Sequence, residues 1–132
     1  MEKEQIKLHI IALEKAALNE WNKGNPSEYI KIMAPEITYF DPLQEKRIDG
    51  LENMTTLYES LRGKICAEQS EMINPVVEVG DNIAVLSYNL NSYSNGVLYK
   101  WNCTEVFKLY AAEWKIIHNH WSLVRPMDMK NL

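Results

Sequence analysis

The chain has 132 residues, a formal net charge of -4, 46% hydrophobic and 24% charged side chains, which describes one ordinary globular domain able to bury a core without disulfides or a structural metal. It excludes a second domain, and with no clustered Lys and Arg to meet a phosphate backbone it excludes nucleic acid as a partner. No apolar run approaches the roughly 20 residues of a membrane span, and two isolated cysteines, Cys66 and Cys103, with no metal-type spacing and no signal-peptide pattern, point to reduced thiols and a cytoplasmic location.

Ile6, Ile10, Leu13, Ala17 and Trp21 recur at helical spacing and predict an amphipathic helix over 3–23, ended by Gly24. Asn25-Pro26-Ser27-Glu28 supplies a cap, a proline suited to the first helical position and an acid, so a second helix is expected to run to about Met33, closed by Pro35. Glu36 to Asp41 is β-branched and aromatic and predicts a short strand, followed by a loop over 43–49. Gly50 opens a third helix with Leu51, Met54, Leu57, Tyr58 and Leu61 on one face, ending near Gly63.

From there the pattern is that of strands. These are Cys66 to Val79, with Pro75 marking an edge or bulge, then Ile83 to Tyr93, an Asn95-Gly96 hairpin turn, and two long arms joined at Ala111-Ala112-Glu113. On the first arm Tyr99, Trp101, Cys103, Glu105, Phe107 and Leu109 share the covered face. On the second, alternation puts Ile117, Asn119, Trp121 and Leu123 on one face and Ile116, His118 and His120 on the other. Helices followed by an antiparallel meander give an α+β fold, with helices packed on one face of a curved sheet.

The order of these elements, with Glu36-Ile-Thr-Tyr-Phe-Asp-Pro42, Gly50-x-Glu52-x-x-x-x-Leu57-Tyr58 and Trp114-x-Ile-x-x-x-x-Trp-Ser122, resembles the nuclear transport factor 2-like superfamily over nearly the whole chain. Within it the chain is similar to the SnoaL-like and ketosteroid-isomerase-like proteins, and to the association domain of calcium/calmodulin-dependent kinase, whose last strand shares the Trp114-x-x-x-His118-x-His120 pattern. The resemblance implies a single SnoaL-like domain over 1–132, a cone-shaped cystatin-like fold, a deep apolar pocket between sheet and helices, and a homodimer through the open face of the sheet. It puts Asp41 at the isomerases' proton-shuttling aspartate, Tyr58 at a pocket tyrosine, Trp121 at a pocket tryptophan and Glu105 at the acid that helps hold the substrate oxyanion. Ala17 and Met33 stand where the isomerases keep two further tyrosines, which separates the chain from steroid isomerisation in its usual form.

The residues support two readings of several positions. Asp41 is either a carboxylate that moves a proton to or from a carbon acid or a turn aspartate before proline. Glu105 is either a neutral hydrogen-bond donor, kept so by burial and by Asp41 nearby, or a carboxylate bonded to Asn119, Trp101 or a lysine across the sheet. Trp21, Tyr39, Trp101 and Trp121 line a pocket or pack the core, with Asn119 beside them as a polar contact for the ligand. His118 and His120 share a face, but zinc takes three or four ligands, and His9 on the first helix is a poor third; no metal or cofactor is expected, and the pair belongs at the dimer contact. The functional expectation is a pocket for a small apolar or carbonyl-bearing ligand, with Asp41, Glu105 and Tyr58 performing cofactor-independent isomerase, cyclase or dehydratase chemistry. The alternative is a non-catalytic ligand-binding or homo-oligomerisation module.

Overall fold

The computed structural model describes residues 1–125. Helix α1 spans Lys3–Trp21, α2 Ser27–Lys31 and α3 Leu51–Leu61; the strands are β1 Met33–Phe40, β2 Ile48–Asp49, β3 Gln69–Val79, β4 Ile83–Ser94, β5 Val97–Tyr110 and β6 Glu113–Leu123. They form one six-stranded sheet in the order β2-β1-β6-β5-β4-β3. Among the described strand pairs only β1–β6 is parallel, and the helices cover one face, an α+β arrangement.

Burial explains the layering. The α1 residues Ile10, Ala17 and Leu18 and the α3 residues Met54 and Tyr58 pack on Leu86, Phe107, Ile116 and Ile37 of the sheet, all of them buried. Phe107 and Ile116 are fully enclosed, each such side chain contributing on the order of 2 kcal/mol through removal of apolar surface from water. The β4–β5 hairpin turns on Asn95 and Gly96 at φ 51° and 75°, the pair of positive angles that a two-residue turn matching the strand twist requires.

Four boundaries differ from expectation. The second helix is one short turn, and β1 begins at Met33, because Met33 pairs with Ile116 of β6. Pro35 does not close a helix; it lies in the register gap between Met33 and Thr38, where no ladder bond needs an N–H. The loop after Pro42 contains the two-residue strand β2, paired through Tyr39 and Ile48. The strand expected from Cys66 starts only at Gln69, because Ala67 donates its N–H to the carbonyl of Asn22 and is held by the end of α1.

The face assignment on β6 also changes. Phe107 pairs with Ile116 while Val106 pairs with His118, so Ile117 is an extra residue, a β-bulge. The bulge puts Trp114 and Ile116 on the same covered face as Asn119 and Trp121, and Ile116, expected beside the histidines, is fully buried.

Candidate functional site

A cavity of about 490 Å³ opens between the inner face of the sheet and the helices. Trp21 from α1, Tyr29 from α2, Tyr58 from α3, Tyr39 from β1, Trp101 from β5 and Trp121 from β6 all line it. The rings brace one another: Trp21 and Tyr58 have centroids 4.7 Å apart, Tyr39 stands perpendicular to Tyr58 at 5.9 Å, and Trp101 meets Trp121 edge-on at 6.0 Å. Such contacts hold aromatic walls in place beyond their burial alone.

Asp41, one residue past β1, also lines the cavity. Its Oδ2 accepts a hydrogen bond from the Tyr39 hydroxyl at 2.8 Å, and its Oδ1 accepts from the Leu43 N–H at 2.7 Å. The turn role and a place in the cavity are therefore combined in one side chain. Burial pushes the Tyr58 hydroxyl far up from its ordinary range, against a lowering contact from Tyr39, so Tyr58 remains a proton-bearing donor within the aromatic wall.

Asn119 is fully buried and stands behind the cavity lining rather than in it. Its Oδ1 accepts from Trp121 Nε1 at 2.9 Å and its Nδ2 donates to the Thr104 carbonyl at 3.2 Å. It thus orients the tryptophan and does not present itself to a ligand. Glu105 is likewise fully enclosed and off the cavity wall. Among the described residues neither Asp41 nor a lysine bonds to it, and the Asn119 amide goes elsewhere. The group facing it is Glu14 of α1, and burial, with Glu14 second, drives the Glu105 carboxyl well above the usual carboxylate range.

Glu14 and Tyr29 were not among the residues expected at the site. Tyr29 donates to Glu14 Oε2 at 2.8 Å, and Tyr88 of β4 donates to the same oxygen. The signal for Glu14 is present in the helix: it lies four residues after Ile10 and three before Ala17, within the buried stripe.

Residues 6–124 match the family of the calcium/calmodulin dependent protein kinase II association domain. The chain belongs to that family. Its place in the wider nuclear transport factor 2-like superfamily agrees with the solved structures that resemble it. A Parabacteroides distasonis protein described as a candidate ketosteroid isomerase is 43% identical over 90% of this chain and 88% of its own, with a TM-score of 0.82. A nuclear transport factor 2-like protein of unknown function from Pseudomonas putida is 19% identical over 99% of this chain and 94% of its own, TM-score 0.83. The association domain of the C. elegans calcium/calmodulin dependent kinase is 20% identical over 91% and 97%, TM-score 0.75. A comparison with curated proteins gave no match.

In this association-domain fold the face of the sheet opposite the helices is left uncovered by the described residues. Phe40, 38% exposed, packs against His118 and His120 there at 5.7 and 5.1 Å between centroids, and Thr38 Oγ1 lies 2.7 Å from His118 Nδ1. Beside them Asn89 Nδ2 donates to Asn102 Oδ1 at 2.8 Å and Asn102 Nδ2 to Ser122 Oγ at 3.2 Å. The histidine pair thus shares the outer face, as its spacing implies. Among the described residues the one compact set of metal-type side chains is the interior trio Glu14, Cys103 and Glu105, away from the histidines. No described helix is long and apolar enough to cross a membrane.

Proposed function

We propose that the domain binds a small, largely apolar or carbonyl-bearing molecule in the aromatic cavity and that Asp41 moves a proton on it. The observation that carries this reading is the convergence of Asp41, Tyr39 and Tyr58 on a cavity otherwise walled by Trp21, Trp101 and Trp121. A cavity of this size lined by aromatic groups with few polar ones suits a small ligand. In this scheme the Asp41 carboxylate takes a proton from the carbon next to the carbonyl, and the Tyr58 hydroxyl donates a hydrogen bond to the oxygen on which charge develops. Returning the proton to another carbon gives isomerisation; returning it to a hydroxyl on the neighbouring carbon as that C–O bond breaks releases water and gives dehydration. No cofactor is called on. The similarity to a protein described as a candidate ketosteroid isomerase supports the same class of chemistry.

The experiment is a screen of carbonyl compounds against wild type, Asp41→Asn and Trp121→Ala. An enzyme loses turnover on Asp41→Asn while keeping affinity; a ligand-binding module loses affinity on Trp121→Ala and shows no turnover in any form. Absence of binding to the wild type by every compound class tested would overturn both.

The uncovered sheet face supports a second reading, homo-oligomerisation through Phe40, His118 and His120, most simply as a homodimer. The family match points the same way. Sedimentation of the wild type against Phe40→Glu tests it: a wild-type monomer at micromolar concentration would rule it out.

A further inference from the structure

Beneath the cavity wall lies a group of acids that the proposed chemistry does not use. Glu14 and Glu105 are both 0% exposed, and with the Cys103 sulfur their ligating atoms lie within 4.8 Å of one another. Glu14 Oε2 is saturated by Tyr29 and Tyr88. Glu14 Oε1 and both oxygens of Glu105 have no hydrogen-bond partner among the described residues. Two buried, adjacent negative charges with three empty acceptors would be strongly unfavourable, and none of the ion pairs among the described residues involves either acid.

One hydrogen resolves the arrangement. Placed on Glu105, it turns an acceptor into a donor beside Glu14, whose Oε1 is open. The Cys103 thiol, which burial and then Glu105 push well above its ordinary range and so keep protonated, adds no further charge beside the pair. The charge stays on Glu14, where two tyrosine hydroxyls already point at it and charge-assisted bonds are strong. We propose that Glu14 and Glu105 share a single proton at neutral pH, carried by Glu105, and that this singly charged pair is the positioning device that holds Tyr29 in the cavity wall. The groups facing the pair are Tyr29 from α2, Tyr58 from α3, Tyr88 from β4 and Cys103 from β5; β6 contributes the neutral Asn119. Each of the four is weakly acidic and itself held protonated by burial, so none supplies a compensating positive charge.

The linkage follows in sign. The folded chain keeps a proton on Glu105 that the unfolded chain releases near the ordinary glutamate range, so this acid favours folding at low pH and its contribution is lost as pH rises. Glu105→Gln imitates the protonated acid permanently. Relative to wild type its Tm should therefore rise by about 4 °C for each pH unit between about pH 5 and the folded-state titration of the pair. Infrared difference spectra of the wild type at pH 7 should contain the carbonyl stretch of a protonated carboxylic acid, absent from Glu105→Gln, and that measurement stands even if a variant folds poorly. A wild type lacking this band, or a Glu105→Gln variant whose Tm falls by the same amount at every pH, overturns the proposal. So does a stoichiometric metal found by elemental analysis whose chelation lowers the wild-type Tm, because the trio would then be a metal site.

Discussion

The Tyr39 hydroxyl donates to the carboxylate of Asp41 at 2.8 Å, joining two residues that stand two apart at the end of β1 and therefore face the same way. Leu43 N–H holds the other oxygen, so removing the phenol frees one oxygen without releasing the side chain. Tyr39→Phe should cost about 1–2 kcal/mol of stability in chemical denaturation. If Asp41 moves a proton, kcat should change with KM preserved, whereas Asp41→Asn should lower turnover by about 10²–10⁴-fold; equal KM effects from both would show that they only shape the cavity.

Trp121 depends on Asn119. Asn119→Leu removes the acceptor of the half-buried indole N–H and a donor to the Thr104 carbonyl, a loss of about 2 kcal/mol. Ligand titration should show weaker binding in Asn119→Leu than in wild type although Asn119 does not line the cavity. Unchanged affinity would mean that packing against Trp101 and Tyr88 suffices to place the ring.

Gly24 links the end of α1 to the loop after α3. Its φ is +85°, and a Cβ there would come within 3.0 Å of the Ile65 carbonyl oxygen. Its own carbonyl accepts from the Gly63 N–H at 2.8 Å. Gly24→Ala should destabilise the domain by about 2 kcal/mol or more, since the left-handed backbone and the backbone contact add. Gly96 offers the control: φ is +75° but nothing lies within 4 Å, so Gly96→Ala should cost only about 1 kcal/mol. Equal Tm losses for the two would remove the close approach as the cause.

His118 titrates below its ordinary value, through burial first and the neighbouring His120 second, with Thr38 opposing. For a base so shifted the unfolded chain takes up the proton first, so the stabilising contribution is complete above about pH 6.5 and is lost as pH falls. If the outer face is an interface, sedimentation should show the assembly weakening around pH 5 to 6 in the wild type and not in His118→Gln. A mass constant across that range would separate the histidines from any assembly.

What the chain determines locally was legible without coordinates. Apolar spacing along 3–23 and 51–61 marks helices because a helix must bury one face, and Asn95-Gly96 marks a hairpin because few residue pairs accept both positive angles. Alternation put Trp101 on a covered face, whereas the place of Asp41, Tyr58 and Trp121 at one pocket was implied by the resemblance to the family and not by the residues alone. Ile117 was beyond that reasoning: a single extra residue in one strand shows only against its partner, and it moves every later side chain to the other face. Pro35 read as a helix stop because its tolerance in β1 depends on a gap in pairing with a strand some eighty residues away. Glu14 carries no mark along the helix beyond its place in the buried stripe, and Glu105 was expected beside Asp41; only the packing of α1 against the sheet brings the two carboxyls together. Local propensity is written along the chain, whereas the electrostatics of a buried group depend on which distant group the fold places beside it.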